Sequence, residues 1–142
     1  ACSLRGLKNV QAIDVLDLKN EKYDTILLLM NGTGIFETLK KTAIYLQKLK
    51  SLLHPNGQIL IDSSDIIYMF DEDEDGGKWI PSDNYYGELT FSLQYKKEKE
   101  VDFPWLYMDY NTLQNAAIAN GLQCQLVLEG NHFDYLAQLT IL

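Results

Sequence analysis

Apolar positions along this chain keep more than one rhythm. From Tyr23 to Met30 they run almost without interruption (Tyr-Asp-Thr-Ile-Leu-Leu-Leu-Met), as in a strand covered on both faces. The run stops at a polar, glycine-containing turn, Asn31-Gly32-Thr33-Gly34. From Glu37 to Leu53 the period lengthens. Leu39, Ala43, Leu46, Leu49 and Leu53 recur at three- and four-residue steps, with Lys40, Lys41, Gln47, Lys48 and Lys50 on the other side. That spacing predicts an amphipathic helix, ended by His54-Pro55-Asn56-Gly57. Gln58 to Asp62 is a second apolar strand, followed by Ser63-Ser64-Asp65. A strand, a connection of helical length and a strand predict a right-handed parallel unit.

The flanks are less regular. Residues 1–9 read as the end of a helix capped by Gly6, and Val10 to Val15 as a short strand with an acid, Asp14, near its end. Glu88 to Tyr95 alternates, with Leu89, Phe91, Leu93 and Tyr95 on one face. Lys96 to Glu100 makes a charged turn before the apolar stretch Phe103 to Met108. Thr112 to Asn120 reads as a short helix closed by Gly121. Leu122 to Glu129 and Tyr135 to Leu142 read as the last two strands, joined through Gly130-Asn131. The whole predicts one α/β domain over residues 1–142.

Composition narrows the function classes. A formal net charge of -8 opposes binding to nucleic acid or to an anionic membrane, and no Lys/Arg stripe offsets it. Cys2 and Cys124 stand outside any CxxC or ligand spacing, which favours two reduced thiols and a cytoplasmic setting. No apolar run approaches a membrane span, and no signal peptide is present. Asp71-Glu72-Asp73-Glu74-Asp75-Gly76 matches the opening of a calcium loop. The match ends there: the eighth position is Lys78, and the twelfth is Ser82 where a bidentate Glu belongs. A solvated acidic loop without metal is the better reading. His54 and His132 have no Ser or Cys pattern beside them, so hydrolysis by a nucleophilic triad has no support.

Ligands of open α/β sheets sit outside the carboxyl ends of parallel strands. Such ends here carry Asp14, then Asn31-Gly32, then Asp62-Ser63-Ser64-Asp65. An acid there accepts from a ribose hydroxyl or an exocyclic amine, and a glycine admits a planar ring to the backbone. Any one of these polar ends is explained by loops being polar; the set, in βα order, points to a nucleotide-like ligand gathered in one cleft. Trp79, Tyr85, Tyr86, Phe91, Tyr95, Phe103, Trp105 and Tyr107 add an aromatic group. Phe91 and Phe103 fit a hydrophobic sheet extension, whereas Trp79, Tyr85 and Tyr86 fall in predicted loop, where a binding role is open.

Gly6 to Val10, Asp14, Lys22 to Gly32, and the stretch LKSLLHPNGQILID from Leu49 to Asp62 resemble class I S-adenosylmethionine-dependent methyltransferases. So do Gly87 to Tyr95, Phe103 to Asp109 and Gly121-Leu122. The resemblance covers essentially the whole chain. It implies a three-layer, Rossmann-like methyltransferase sheet, mostly parallel with antiparallel C-terminal strands. It also implies S-adenosylmethionine as cofactor, with Asp14 and Val15 beside the adenine and Met30, Asn31 and Gly32 along the reactive side. The Gly-rich turn after the family's first strand, and the acid of its second, have no counterpart here. The chain opens on Ala and reads as the C-terminal part of a larger domain, inactive alone. Loss of the first strand leaves Tyr23 to Met30 as an apolar edge and predicts a homodimer through it. If the transfer needs a base, Asp62, Asp65 and Tyr85 are the candidates. The acceptor, small molecule or protein, is open. The rival reading is a non-catalytic binding or assembly module with a vestigial cofactor site, in which the exposed edge does the work.

Overall fold

The computed structural model describes residues 1–80 and 83–142. Its strands are β1 (Tyr23–Leu28), β2 (Leu53–Ser64), β3 (Glu88–Phe91), β4 (Gln94–Tyr95), β5 (Glu98–Lys99), β6 (Phe103–Leu106), β7 (Leu122–Glu129) and β8 (Asp134–Ile141). Its α-helices are α1 (Thr42–Ser51) and α2 (Tyr110–Ala119). The main sheet has the order β1-β2-β8-β7. β1 and β2 are parallel and joined through α1, as the strand–helix–strand pattern predicts. β8 lies antiparallel between β2 and β7. The predicted parallel unit and antiparallel finish are therefore both present.

Alternation explains the core. Ile59 and Ile61 of β2 and Ala137 and Leu139 of β8 are buried, while Leu60 and Gln138 between them are half-buried. Leu46 and Leu49 of α1, Leu113 and Ala117 of α2, and Leu106 and Met108 join the same cluster. Both helices pack onto this one face, so the described residues form the sheet and one helical layer.

Several sequence expectations shift. Val10 to Val15 forms no strand: the segment is extended and largely exposed, and Val15–Asp17 is a 3-10 turn. A strand needs a ladder partner, and among the described residues none pairs with this segment. Residues 1–9 hold only a 3-10 turn, Ser3–Arg5, but Gly6 does close it in a left-handed conformation, φ 77°. α1 starts at Thr42 rather than Glu37. Glu37 itself has a positive φ (66°) with ψ -57°, and Thr38 N–H donates to Phe36 O at 2.7 Å, a tight turn that breaks the helix. Ala43 is exposed, and Tyr45 takes the buried position expected of it. Leu53 already belongs to β2, paired with Tyr23; His54 to Gly57 then bulge out before Gln58 pairs with Thr25. The alternating segment Glu88 to Tyr95 splits at Ser92-Leu93. β3 pairs with β6, and β4 with β5, as separate two-stranded ribbons rather than an extension of the main sheet.

The acidic loop folds on itself. Glu72 bridges Lys78, and the Asp73 carboxylate accepts from the backbone N–H of Asp75 and Gly77. Ser82, the twelfth position of the calcium-loop match, lies outside the described residues. Among the described residues no group of His, Cys, Asp or Glu is arranged to hold a metal. No described helix is long and apolar enough to cross a membrane.

Candidate functional site

The carboxyl end of β1 meets that of β2 in one hydrogen-bonded knot. Met30 (φ 65°) and Asn31 (φ 62°) both turn left-handed, which sends the chain back over the sheet edge into the 3-10 turn Gly32–Phe36. Asn tolerates this conformation; Met does so less readily, and its side chain is left outside, 88% exposed. Gly32 N–H donates to Asp62 Oδ1 at 2.9 Å, joining the two strand ends. No side chain fits at either glycine of this turn. A Cβ on Gly32 would stand 2.6 Å from Leu28 Cβ, and one on Gly34 would stand 1.9 Å from the Trp105 ring.

Beneath the turn lie two buried hydroxyls, Thr33 and Ser63. Their oxygens are 2.6 Å apart. Ser63 Oγ stands 3.0 Å from Asn31 Oδ1 and accepts from Met108 N–H at 3.0 Å. Thr33 Oγ1 stands 2.9 Å from Leu106 O, and Asn31 Nδ2 donates to the same carbonyl at 3.3 Å. This amide orientation is the consistent one, since the reverse would put two acceptors face to face.

A second polar group follows along the same sheet edge. Asp65, just past β2, accepts from Tyr86 OH at 2.7 Å and from Ile67 N–H at 3.0 Å. Asp109 caps α2, accepting from Thr112 N–H at 2.9 Å, and also accepts from Tyr85 OH at 2.6 Å; Tyr85 Oη in turn accepts from Asp109 N–H at 3.0 Å. Burial would raise the Asp109 carboxyl, but the hydrogen bonds it accepts from Thr112 and Tyr85 outweigh burial and hold it below the usual range. Burial, then the bond to Asp109, pushes the Tyr85 hydroxyl up to about 12. Burial and the bond to Asp65 drive Tyr86 upward as well. A cavity of about 490 Å³ opens beside this group, walled by Asp65, Asp109, Glu129, Phe133 and Tyr135.

Asp14 and Val15 lie elsewhere. They line a cavity of about 400 Å³ together with Ile13, Gly34, Ile35 and Trp105. The Asp14 carboxylate accepts from Leu16 N–H at 2.9 Å. Asn31, Gly32 and Asp62 are therefore brought together as expected. Asp14 reaches the turn only through its neighbours Gly34 and Ile35, and Asp65 and Tyr85 belong to the second group. The aromatic set is also divided: the Tyr85 and Tyr86 rings lie 4.6 Å apart, tilted, beside Asp65 and Asp109, Phe91, Phe103 and Trp105 sit on the β3–β6 ribbon, and Trp79 and Tyr95 are exposed. Sequence reading missed Thr33 and Asp109. Asp109-x-x-Thr112 carries an N-cap spacing that could have flagged the second; nothing marks Thr33 beyond its place between two glycines.

The chain is 44% identical to a SAM-dependent methyltransferase from Bacteroides fragilis, solved in complex with S-adenosyl-L-homocysteine. The match has a TM-score of 0.87 and covers 98% of this chain and 56% of that one. The chain has the fold of the class I methyltransferases. A SAM-dependent methyltransferase from Clostridium acetobutylicum has the same fold at 12% identity, with a TM-score of 0.64, over 99% of this chain and 68% of that one. The methyltransferase MmcR, described as a mitomycin 7-O-methyltransferase, matches with a TM-score of 0.60 at 10% identity, over 99% of this chain and 37% of that one. This chain thus spans little more than half the length of its Bacteroides methyltransferase relative. No protein-family model and no curated protein matches it.

Proposed function

We propose that this chain serves S-adenosylmethionine-dependent methyl transfer. The observation that carries the reading is the 44% identity, over nearly the whole chain, to a methyltransferase solved with S-adenosyl-L-homocysteine. The residues present fit such a group. The cavity at Asp14 and Val15 has the size of a small-ligand site. It joins apolar walls to a carboxylate, the stacking surface and the acceptor that a purine with an exocyclic amine needs. The glycines of the β1 turn let Leu28 and the Trp105 ring pack directly against the backbone, which fixes the turn beside this cavity.

When bound, S-adenosylmethionine supplies an already activated methyl group. The chain's own part is to hold and orient. Asp14 and Val15 would hold the adenine side, and Met30, Asn31 and Gly32 the reactive side. Gly32 is fixed by its bond to Asp62, so the turn is presented rigidly. Tyr85 stays protonated at neutral pH and donates its hydroxyl to the Asp109 carboxylate. Proton removal from an acceptor therefore falls to Asp62 or Asp65 before Tyr85. The acceptor is a small molecule or a protein, and the acidic balance argues against nucleic acid and membrane surfaces. The two free cysteines suit a cytoplasmic setting. Calorimetric titration with S-adenosylhomocysteine tests the reading: saturable binding that Asn31→Ala weakens supports it, and a folded chain that gives no heat refutes binding by these residues.

One observation favours the rival, an assembly module. β1 is an edge strand, with Leu27 60% and Leu29 52% exposed beside it. Such an edge suits pairing with a second copy. Light scattering that shows a dimer, abolished by Leu27→Lys, would support this role; a monomer at high concentration would refute it.

A further inference from the structure

The Thr33–Ser63 pair has fewer protons than contacts. Each hydroxyl owns one proton. Between them they make three oxygen–oxygen contacts: Ser63 to Asn31 Oδ1 at 3.0 Å, Ser63 to Thr33 at 2.6 Å, and Thr33 to Leu106 O at 2.9 Å. The Tyr135 hydroxyl does not make up the deficit: it donates to Met108 O at 2.9 Å and faces Ser63 as a further acceptor. Thr33 is 0% and Ser63 2% exposed, so bulk water does not reach them. Two oxygens 2.6 Å apart must have a proton between them. That leaves one proton for two acceptors.

Two arrangements satisfy this count. In the first, Ser63 donates to Thr33 and Thr33 to Leu106 O, and the amide oxygen of Asn31 receives nothing from the pair. In the second, Thr33 donates to Ser63 and Ser63 to Asn31 Oδ1. Leu106 O then keeps the Asn31 Nδ2–H as its side-chain donor. Ser63 in that arrangement accepts from Thr33 and from Met108 N–H and donates once, a complete shell.

We propose that Ser63 and Thr33 are positioning residues that switch the amide oxygen of Asn31 between an occupied and an open acceptor. An N–H or O–H donor of a ligand arriving at the Met30–Gly32 turn is then accommodated by a proton shift along the pair, with no movement of the backbone. The functional consequence rests on the reading of this turn as ligand-facing; the switch itself does not.

The test is carbon NMR of the ligand-free chain, reading the Asn31 side-chain carbonyl, which moves downfield when it accepts a hydrogen bond. Thr33→Val removes one hydroxyl at nearly constant volume and withdraws Thr33 as an acceptor of the Ser63 proton, which raises the occupancy of Asn31 Oδ1; the signal is expected to move downfield. Ser63→Ala removes the donor, and the signal is expected to move upfield. Thr33→Ser keeps the hydroxyl and is expected to leave the signal at its wild-type position. A Thr33→Val signal that stays put, or moves the same way as in Ser63→Ala, overturns the proposal, because a merely structural role would disturb both variants alike. Should Ser63→Ala fail to fold, Thr33→Val against Thr33→Ser decides alone. No ligand is present, so failure here is distinct from failure to bind S-adenosylhomocysteine.

Discussion

Gly34→Ala puts the close packing of the β1 turn to a quantitative test. Gly34 lies in a 3-10 turn and is absent from the positive-φ positions, so its backbone would accept alanine. By conformational entropy alone the substitution would stabilise by about 0.4–1 kcal/mol. Sterics oppose it. The new Cβ would stand 1.9 Å from Trp105 Cε2 and 2.4 Å from Cδ2 and Cζ2, inside the indole. The ring is the middle of a bulky, bicyclic side chain packed edge-on against Phe103, so it cannot swing aside as a lysine tip would. Overpacking of this kind costs about 1–3 kcal/mol. The steric term wins, and a net loss of about 1–2 kcal/mol is expected, or roughly 3–10 °C in Tm for a domain of this size. Thermal denaturation followed by circular dichroism measures it. The decisive arm is the Trp105→Ala background, where the clash is gone and the entropic gain alone should remain. The double-mutant cycle should then give a coupling of at least about 1 kcal/mol. A Gly34→Ala penalty of equal size with and without the indole would refute the argument.

Gly32→Ala should destabilise by a similar amount, about 1–3 kcal/mol, through its contact with Leu28 Cβ, and chemical denaturation should show it in the midpoint with the slope unchanged. Asp109→Ala removes the cap of α2 and the acceptor of Tyr85; a loss of about 1–2 kcal/mol is expected, with Asp109→Asn recovering part of it. The pH profile follows from the shifts. Tyr85 is raised from 10.0 to about 12 in the folded chain, so it is equally protonated in the folded and unfolded states below pH 10; its contribution to stability should be flat there and be lost between pH 10 and about 12. Phenolate absorbance should show Tyr85 and Tyr86 titrating only as the chain unfolds, and their titration in step with exposed tyrosines would contradict the geometry. Asp109 is lowered, so its contribution is present above the ordinary carboxylate range and should be lost as pH falls through its folded value; Asp109→Asn should flatten that acid limb.

Much of the fold was legible because hydrophobic period and fold agreed. Tyr23 to Leu28, Gln58 to Ser64 and the last two strands lie where their apolar runs put them. The parallel unit followed from the helical length of its connection. The misreadings share a physical cause: periodicity does not report backbone turns or missing partners. Glu37 interrupts a good helical pattern with a positive φ, and Val10 to Val15 is strand-like in composition but has no ladder to join. The candidate site divides in the same way. Asn31, Gly32 and Asp62 were readable as polar strand ends, whereas Asp14 depended on a strand that does not form. Thr33 was invisible as a site residue because its partners, Ser63 and Leu106, meet it only in three dimensions; for Asp109 the cap spacing to Thr112 was readable, and the contact with Tyr85 was not.

The placement of β8 has a kinetic corollary. Thr140 pairs with Gln58 on one side and Gln123 on the other, so β8, the last strand in chain order, is the sheet's interior plank. A nascent polypeptide whose Tyr135–Ile141 segment is still inside the ribosome owns two unjoined pieces, one ending at β2 and one at β7. Closure must wait for release of that segment, and the loop it seals is long, which slows the search. Until then both unsealed rims are open to chaperones or to the same rims on sibling nascent chains.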